Sequence, residues 1–168
     1  MDSELTVRAW IRLEPLIDRL RELEDAEEPD KPKVWEKIEA THLDIMTLKL
    51  FLHVRGSDLE IEREKALFEG AVMKYMGDAI QQRGWRYYVA RDGNNTEHLS
   101  EGHECIMPSA GVWDENNEKI DEHSTAITEA EALLTVYIAA LRNRITNKAA
   151  INGRTNLVMG SVDTTSFE

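Results

Sequence analysis

The spacing of apolar residues changes twice along this chain, and these changes restrict the fold more than any other feature. Before Gly84, apolar residues recur every three or four positions, which is the period of amphipathic helices. Trp85-Arg86-Tyr87-Tyr88-Val89-Ala90 then alternates as a half-buried strand does. From Thr128 to about Ile145 the helical period returns. The sequence therefore predicts an α+β fold, with N-terminal helices packed with a small antiparallel hairpin or sheet and a closing C-terminal helix.

Two or three helices are predicted before the strand. The first should kink or restart at Pro15. The second should run from Pro32 to about Arg55 and stop at Gly56; its last turns are apolar nearly all round, which indicates either burial between neighbours or an oligomer contact. The third should follow a capping box, Ser57-Asp58-Leu59-Glu60, and end at Arg83-Gly84.

The strands and domain limits are predicted from turn residues. Asp92-Gly93-Asn94-Asn95 favours a tight turn, after which a return strand is expected from Glu104 to Met107, ended by Pro108. Val112-Trp113 is expected to add a short third strand. These boundaries divide the chain into a helical region, 1–83, a module with an acidic loop, 84–148, and a flexible tail, 149–168.

The charge of the chain restricts its partners. There are 32 acidic and 20 basic residues among 168, giving a net charge of −12. Because a polyanion gains no counterion release from another polyanion, we expect no direct nucleic-acid binding and no membrane binding. A basic protein remains a suitable partner, including a protein that itself binds nucleic acid.

Most of the excess negative charge lies in one segment. Residues 92–131 contain eleven acidic residues and one base, Lys119. A long acidic connection between packed elements is a common place for partner binding, although it can also be a solvated loop that maintains solubility. The predicted partner-binding residues are the acidic and aromatic residues Tyr88, Glu97, Glu101, Trp113, Asp114, Glu115, Glu118, Asp121 and Glu122.

The single cysteine indicates the expected compartment. Cys105 has no partner for an internal disulfide, which suits a reducing environment. The N-terminal residues lack the features of a secretory signal, and no apolar run is long enough to cross a membrane. We therefore expect a cytoplasmic location.

The histidines and the single cysteine allow two interpretations, a metal site or a surface loop. His98, His103 and Cys105, with His123 further on, are the clustered soft ligands that zinc prefers. Their spacing matches no common zinc-finger pattern, so a surface loop with histidines is the favoured interpretation and no metal or cofactor is expected.

Catalytic patterns are weak. No glycine-rich phosphate loop or Gly-x-Ser-x-Gly motif occurs. The adjacent acids Asp114-Glu115 and Asp121-Glu122 would point to opposite faces of a strand and so would not converge on one substrate atom.

Two helical pairs of glutamates, Glu36/Glu39 and Glu60/Glu64, have a spacing that resembles the magnesium-binding helices of all-α nucleotide pyrophosphohydrolases. No Glu-x-x-Asp helix follows at a suitable distance, and exposed helix charges paired with Lys37 and Arg63 are the favoured interpretation of these glutamates. We therefore predict no catalytic residues.

Arginines and aromatics alternate near the strand, as they do on nucleic-acid platforms. They are Arg83, Trp85, Arg86, Tyr87, Tyr88 and Arg91. Because so many acids lie nearby, contact with RNA or DNA is not favoured.

Residues 84–144 also resemble a known group of proteins. Gly84-Trp85-Arg86-Tyr87, Cys105-Ile106-Met107-Pro108 and Ser124-Thr125-Ala126 before an alanine-rich helix are similar to the αββα "ABA sandwich" module of small tailed-phage accessory proteins. The resemblance implies a phage origin, hence a host-cytoplasm location, and a non-enzymatic role such as inhibiting a host defence or regulatory protein. Residues 1–80 have no counterpart in that group.

The leading prediction is an acidic binding protein that acts by protein–protein contact. The first alternative is an oligomeric assembly protein whose amphipathic helices, 5–28 and 32–55, form the contact. The second alternative is a metal-dependent nucleotide hydrolase.

Overall fold

The described residues of the chain form four helices, a three-stranded antiparallel sheet and a separate two-stranded sheet, so the predicted α+β class is confirmed. The computed structural model describes residues 4–27, 30–52, 58–90, 96–98, 104–106, 108–116, 118–123, 126 and 128–159. The elements in these ranges are α1 (Glu4–Glu27), α2 (Val34–Leu52), α3 (Asp58–Gln82), β1 (Arg86–Ala90), β2 (Thr96–His98), β3 (Glu104–Ile106), β4 (Ser109–Trp113), β5 (Lys119–His123) and α4 (Glu129–Met159).

Helix α4 is the centre of the molecule. It packs against α1 and α3 on one side and against β1, β4 and β5 on the other. Because both sides are covered, its first half is apolar nearly all round instead of carrying one stripe. Small alanines allow the close approach to two layers. The buried residues of α4 are Ala130, Ala132, Leu133, Leu134, Val136, Tyr137, Ile138, Ala140 and Leu141.

The sheet has the order β1-β4-β5, with β4 in the middle. Tyr87 of β1 lies opposite Val112 of β4, and Val112 and its neighbour on the same face, Ala110, are fully buried. The predicted strand at Val112-Trp113 is thus confirmed, and it is the central strand. The return strand predicted at 104–107 forms as β3, but it pairs with β2 in a separate two-stranded sheet. The expectation that it returns beside β1 is therefore wrong, because β4 occupies that position.

Helices α1 and α3 pack against α4, and α3 also contacts β1. Helix α1 continues through Pro15, where the sequence predicted a kink or a new first turn. Its buried residues Leu13, Ile17 and Leu20 lie at helical spacing, as predicted. Helix α2 contacts α1 and α3 but no other element in the described part of the chain.

The end of α3 directs the chain into the sheet. Gly84 has a φ of +75°, a left-handed conformation that glycine adopts without a steric penalty. The Trp85 amide donates to the Ile80 carbonyl at 3.1 Å, and the Gly84 amide donates to the Gln81 carbonyl at 2.9 Å. This is the Schellman arrangement, so the predicted stop at Arg83-Gly84 is confirmed.

The two glycines inside α3 have different surroundings. A Cβ at Gly77 would lie 2.5 Å from the Tyr87 hydroxyl, so β1 packs closely against α3 there. A Cβ at Gly70 would meet no atom within 4 Å.

Helix α4 begins as predicted and ends later. The Thr128 hydroxyl accepts a hydrogen bond from the Glu131 amide at 3.3 Å, which is the expected N-terminal cap. The helix then continues to Met159 instead of ending near Ile145. Residues 149–159, assigned to a C-terminal tail, therefore form its last turns.

Several predicted features lie outside the described residues. They are the stop at Gly56, the Ser57 side of the capping box, the turn at 92–95 and the last residues, 160–168. In the part of the chain that the structure does describe, no helix is both long and apolar enough to cross a membrane.

Candidate functional site

Two aromatic side chains lie together on the face of the sheet that points away from the helices. The rings of Tyr88 and Trp113 are 5.3 Å apart, inclined at 42°, and both are half-buried. Both lie over Gly111 of the central strand: a Cβ there would be 2.5 Å from Tyr88 Cε1 and 3.3 Å from Trp113 Cη2. The glycine thus lets the two rings lie flat on the strand. We call Tyr88, Gly111 and Trp113 the aromatic face.

An acidic turn adjoins the aromatic face directly. Asp114 follows Trp113, and its Oδ1 accepts hydrogen bonds from the amides of Asn116 at 2.9 Å and Glu118 at 2.8 Å. The Asp114 amide donates to the Glu118 carbonyl at 2.9 Å. This carboxylate therefore shapes the turn between β4 and β5. Glu115 and Glu118 are exposed on the same turn and present their charge to solvent.

For the other predicted partner-binding acids, the structure gives the position of the backbone. Asp121 and Glu122 lie on β5, opposite Val112 and Gly111. Glu97 lies on β2, opposite Cys105 of β3, and β2 contacts β3 but no element of the larger sheet in the described ranges. Glu101 lies outside the described residues. The structure thus brings Tyr88, Trp113, Asp114, Glu115 and Glu118 together, while Glu97 belongs to the separate hairpin.

The structure does not test whether His98, His103 and Cys105 form a surface loop, as predicted, or a metal site. His98 pairs with Glu104 in the β2–β3 ladder, and Cys105 is on β3. Their side chains, and His103, lie outside what the structure describes. Among the residues that were described, no group of three or more histidine, cysteine or acidic side chains could hold a metal ion.

The arginine and aromatic residues around β1 do not form one surface. Trp85 is buried at 4% exposure and belongs to the core, and Tyr87 points at α3 through Gly77. Among the described residues of this set, Arg86 and Tyr88 lie on the outer side of β1, because alternate strand residues point to opposite faces, and Arg91 lies outside the described residues. The nucleic-acid platform considered from the sequence is therefore divided between the core and the surface.

The helical glutamates considered for magnesium binding are also separated. Glu39 forms an ion pair with Arg21 of α1, in place of the Lys37 contact expected from sequence spacing. Arg21 in turn lies over the Trp35 ring, 4.5 Å from its centroid. Glu36 is exposed, and the side chains of Glu60 and Glu64 lie outside the described residues.

A buried ionic cluster joins three helices, and sequence reasoning did not find it. The Glu27 side chain is 1% exposed and lies 3.0 Å from Arg83 Nη1, 2.9 Å from Arg144 Nε and 3.5 Å from Lys148 Nζ. None of these three contacts has the geometry of a hydrogen bond, so they are ion pairs. Since the partners are 56 to 121 positions apart, no local pattern indicates them.

A second buried carboxylate closes the junction of α1 and α2. Glu24 Oε2 accepts hydrogen bonds from the Val34 amide at 2.9 Å and the Trp35 amide at 3.4 Å, which satisfies amides at the start of α2. The buried Lys33 ammonium donates to the Glu24 carbonyl at 2.9 Å. Burial raises the pKa of Glu24 above its ordinary value, against the opposing effect of the two amides. Because this carboxylate is occupied by the helix start, we assign it a structural role.

The comparisons with known proteins identify no family for this chain. No protein-family model, curated protein or solved structure matches the chain. The functional proposals below therefore rest on the chain's own residues, and the resemblance to phage accessory proteins stays a prediction.

Proposed function

We propose that this protein is a binding module that docks on a basic protein surface through its aromatic face and the adjoining acidic turn. The observation that carries the proposal is the Tyr88–Trp113 pair, held over Gly111 on the side of the sheet that no described helix covers. Half-buried aromatics that are already fixed in place lose little entropy when they are buried by a partner. Tryptophan and tyrosine are also the residues most enriched among binding hot spots.

The charges beside the aromatic face select the kind of partner. Glu115 and Glu118 are exposed next to Trp113, and the whole chain carries −12. Charges at the rim of an interface mainly steer association and exclude like-charged partners. The aromatic pair supplies affinity and the acidic turn supplies selection for lysine and arginine on the partner.

The resemblance over residues 84–144 extends this proposal to a biological role. In that role the protein would occupy the basic groove of a host defence or nucleic-acid-binding protein and inhibit it. The acidic turn then takes the place of nucleic-acid phosphates and competes with them.

The test is quantitative capture of partners from host lysate with matched tryptophan variants. Trp113→Ala should reduce capture by at least about tenfold, because truncating a hot-spot aromatic costs about 2 kcal/mol or more. Trp35→Ala is the control, since Trp35 is also half-buried but lies on α2, on the far side of the molecule from the sheet. Circular dichroism and thermal melting check that both variants are folded.

Charge-reversal variants distinguish specific docking from non-specific binding. Glu115→Lys with Glu118→Lys should weaken capture and flatten its salt dependence between about 50 and 300 mM. Glu22→Lys, on an exposed position of α1, should not. Equal capture by the wild type, Trp113→Ala and the turn variant would show that the contact lies elsewhere.

A second candidate function, self-assembly through the N-terminal helices, is favoured by a different observation. Four large apolar side chains of these helices are exposed: Ile11 by 54%, Leu43 by 65%, Met46 by 37% and Leu67 by 70%. Exposed apolar surface on one part of a protein often marks an interaction site. Leu43 also borders a cleft with Trp10 and His42, whose rings stack at 3.9 Å.

Light scattering tests this second candidate. If the helices form an oligomer, the wild type should show a mass above the 19.2 kDa of one chain at micromolar concentration, and Leu43→Lys should return it to monomer. Lys37→Ala, at an exposed position of the same helix, serves as the control. A wild-type protein that stays monomeric over the whole concentration range excludes the candidate.

A further inference from the structure

A groove on the opposite side of the β4–β5 turn from the aromatic face has the composition of a small anion site. It lies between that turn and α4 and has a volume of about 250 Å³. Its floor is apolar, formed by Trp85, Ile120 and Ala140, and Ile151 stands at one end with 64% of its surface exposed. Arg144 and Lys148, one turn apart on α4, line the same groove. We call this the α4 groove.

The two cations of the α4 groove are held in place by the residues that they contact beneath it. Arg144 places Nε on the buried Glu27 carboxylate at 2.9 Å and stacks over the Trp85 ring, 5.5 Å from its centroid. The guanidinium of Arg144 is planar. An ion pair at Nε therefore leaves the N–H groups of its two terminal nitrogens available and fixed in direction. Arg144 and Lys148 keep 37% and 52% of their side-chain surfaces exposed. The groove therefore presents oriented donors to solvent.

On the α4 side of the groove alone, the cations outnumber the carboxylate beneath them. Glu27 is one carboxylate shared by three cations, because the largely buried Arg83 also contacts it at 3.0 Å. Two acids, Asp114 and Glu115, line the opposite wall. One oxygen of Asp114 is taken by turn amides, and neither acid pairs with Arg144 or Lys148 in the described ranges. The two walls of the groove thus carry opposite charges, and the cations on the α4 wall are the groups that an oxyanion would contact.

We propose that the α4 groove binds an oxyanion, a carboxylate or a phosphate monoester, attached to a small apolar body. The oxyanion takes the terminal N–H groups of Arg144 and the Lys148 ammonium, and the apolar body lies on Trp85 and Ile120. Ligand pockets commonly measure about 300–1,000 Å³, so this groove fits a single ring or one amino-acid residue.

Two sources can supply the same chemistry: a free small anion, or the C-terminal carboxylate of a peptide. A neighbouring cavity of about 300 Å³ shares Asp114, Ile120, Asn143 and Asn147 with the groove and could receive the preceding residue of a peptide. This site does not use Tyr88 or Trp113, so its failure would leave the proposed protein-binding function standing.

Calorimetric titration of the whole protein with matched acids and amides tests the proposal. The probes are phenylacetate, phenyl phosphate and N-acetyl-alanyl-phenylalanine, with phenylacetamide and the amidated dipeptide as neutral counterparts. Ligands of this size should bind the site with a Kd of roughly 1 mM. The acids should bind more tightly than the amides by about tenfold, the usual worth of a hydrogen bond to a charged group.

Three variants locate the binding on α4. Arg144→Gln and Lys148→Gln should each weaken binding of the acids by about tenfold, because each removes one charged donor. Arg142→Gln is the control, since Arg142 is exposed on the same helix but does not line the groove. Lys148 is half-exposed, so its variant remains informative if loss of Arg144 disturbs the fold. Phenyl compounds that bind while the dipeptide does not would indicate a free small anion, and the reverse would indicate a peptide terminus.

The proposal is overturned if the folded wild-type protein shows no saturable binding of any acid. It is equally overturned if acids and amides bind alike, or if Arg142→Gln weakens binding as much as Lys148→Gln. Intact capture of a basic partner in the same preparation would then show that the aromatic face is unaffected.

Discussion

Replacing Glu27 by glutamine is expected to lower the free energy of unfolding by about 3 kcal/mol, the cost of leaving buried charge uncompensated. Glu27 is the last residue of α1, where a negative charge opposes the helix dipole. It is tolerated because Arg83, Arg144 and Lys148 surround its carboxylate. Most of the penalty comes from Arg83, whose side chain is 11% exposed. Arg144 and Lys148 can recover hydration, which limits their share.

The measurement for Glu27 is urea denaturation with the slope compared between variants. For a chain of this length, the loss corresponds to a fall in Tm of about 10 °C. Glu22→Gln is the control, because Glu22 is exposed on the same helix. Equal midpoints for Glu27→Gln and the wild type would show that the carboxylate's desolvation cost cancels its attraction to the three cations.

Tyr137→Ala should be the most destabilising single substitution, at about 4 kcal/mol, the usual cost of deleting a fully buried aromatic ring. Tyr137 is 0% exposed at the middle of α4, where the helix is covered on both sides. Its ring meets Trp85 edge-on, 6.4 Å between centroids, and its hydroxyl accepts a hydrogen bond from Arg83 Nε at 3.0 Å. Tyr137→Phe keeps the ring and should cost only about 1.5 kcal/mol, the value of that hydrogen bond.

The ionisation of the same phenol provides an independent readout. Burial raises the pKa of Tyr137 to about 12, and the positive charge of Arg83 opposes this only in part. Because the folded-state pKa lies above the unfolded value near 10, the stabilising contribution is complete below pH 10 and is lost as the pH rises to about 12. An absorbance titration should show a late tyrosinate signal that is missing in Tyr137→Phe. Its persistence in that variant would assign it to another tyrosine.

The helices could be predicted because their signals are local. A buried stripe repeats every three to four residues in α1, and capping residues mark the starts and ends, as Thr128 and Gly84 do. The predicted end of α4 was wrong because the apolar stripe indicates the buried part of the helix and not its whole length. The exposed residues 146–151 include two alanines and a lysine, which continue a helix without burial.

The candidate site could be predicted only in part. Aromatic residues beside acids indicated Trp113, Asp114, Glu115 and Glu118 as one surface, because these residues are contiguous in sequence. That Tyr88 joins them depends on β1 pairing with β4, which the sequence did not show. Strand periodicity gives the face of each residue but not the identity of the neighbouring strand. Gly111 gives no sequence signal for its role, since only the two rings above it make a side chain impossible there.

The sequence by itself determined the α+β class, the start of α4 and the face that α1 buries, because hydrophobic period and capping act within a few residues. The tertiary structure alone decided that β4 is the central strand and that Glu27 meets Arg83, Arg144 and Lys148. Which strands pair and which buried charges meet depends on how distant segments of the chain pack. No periodic pattern in the sequence therefore indicates these pairings.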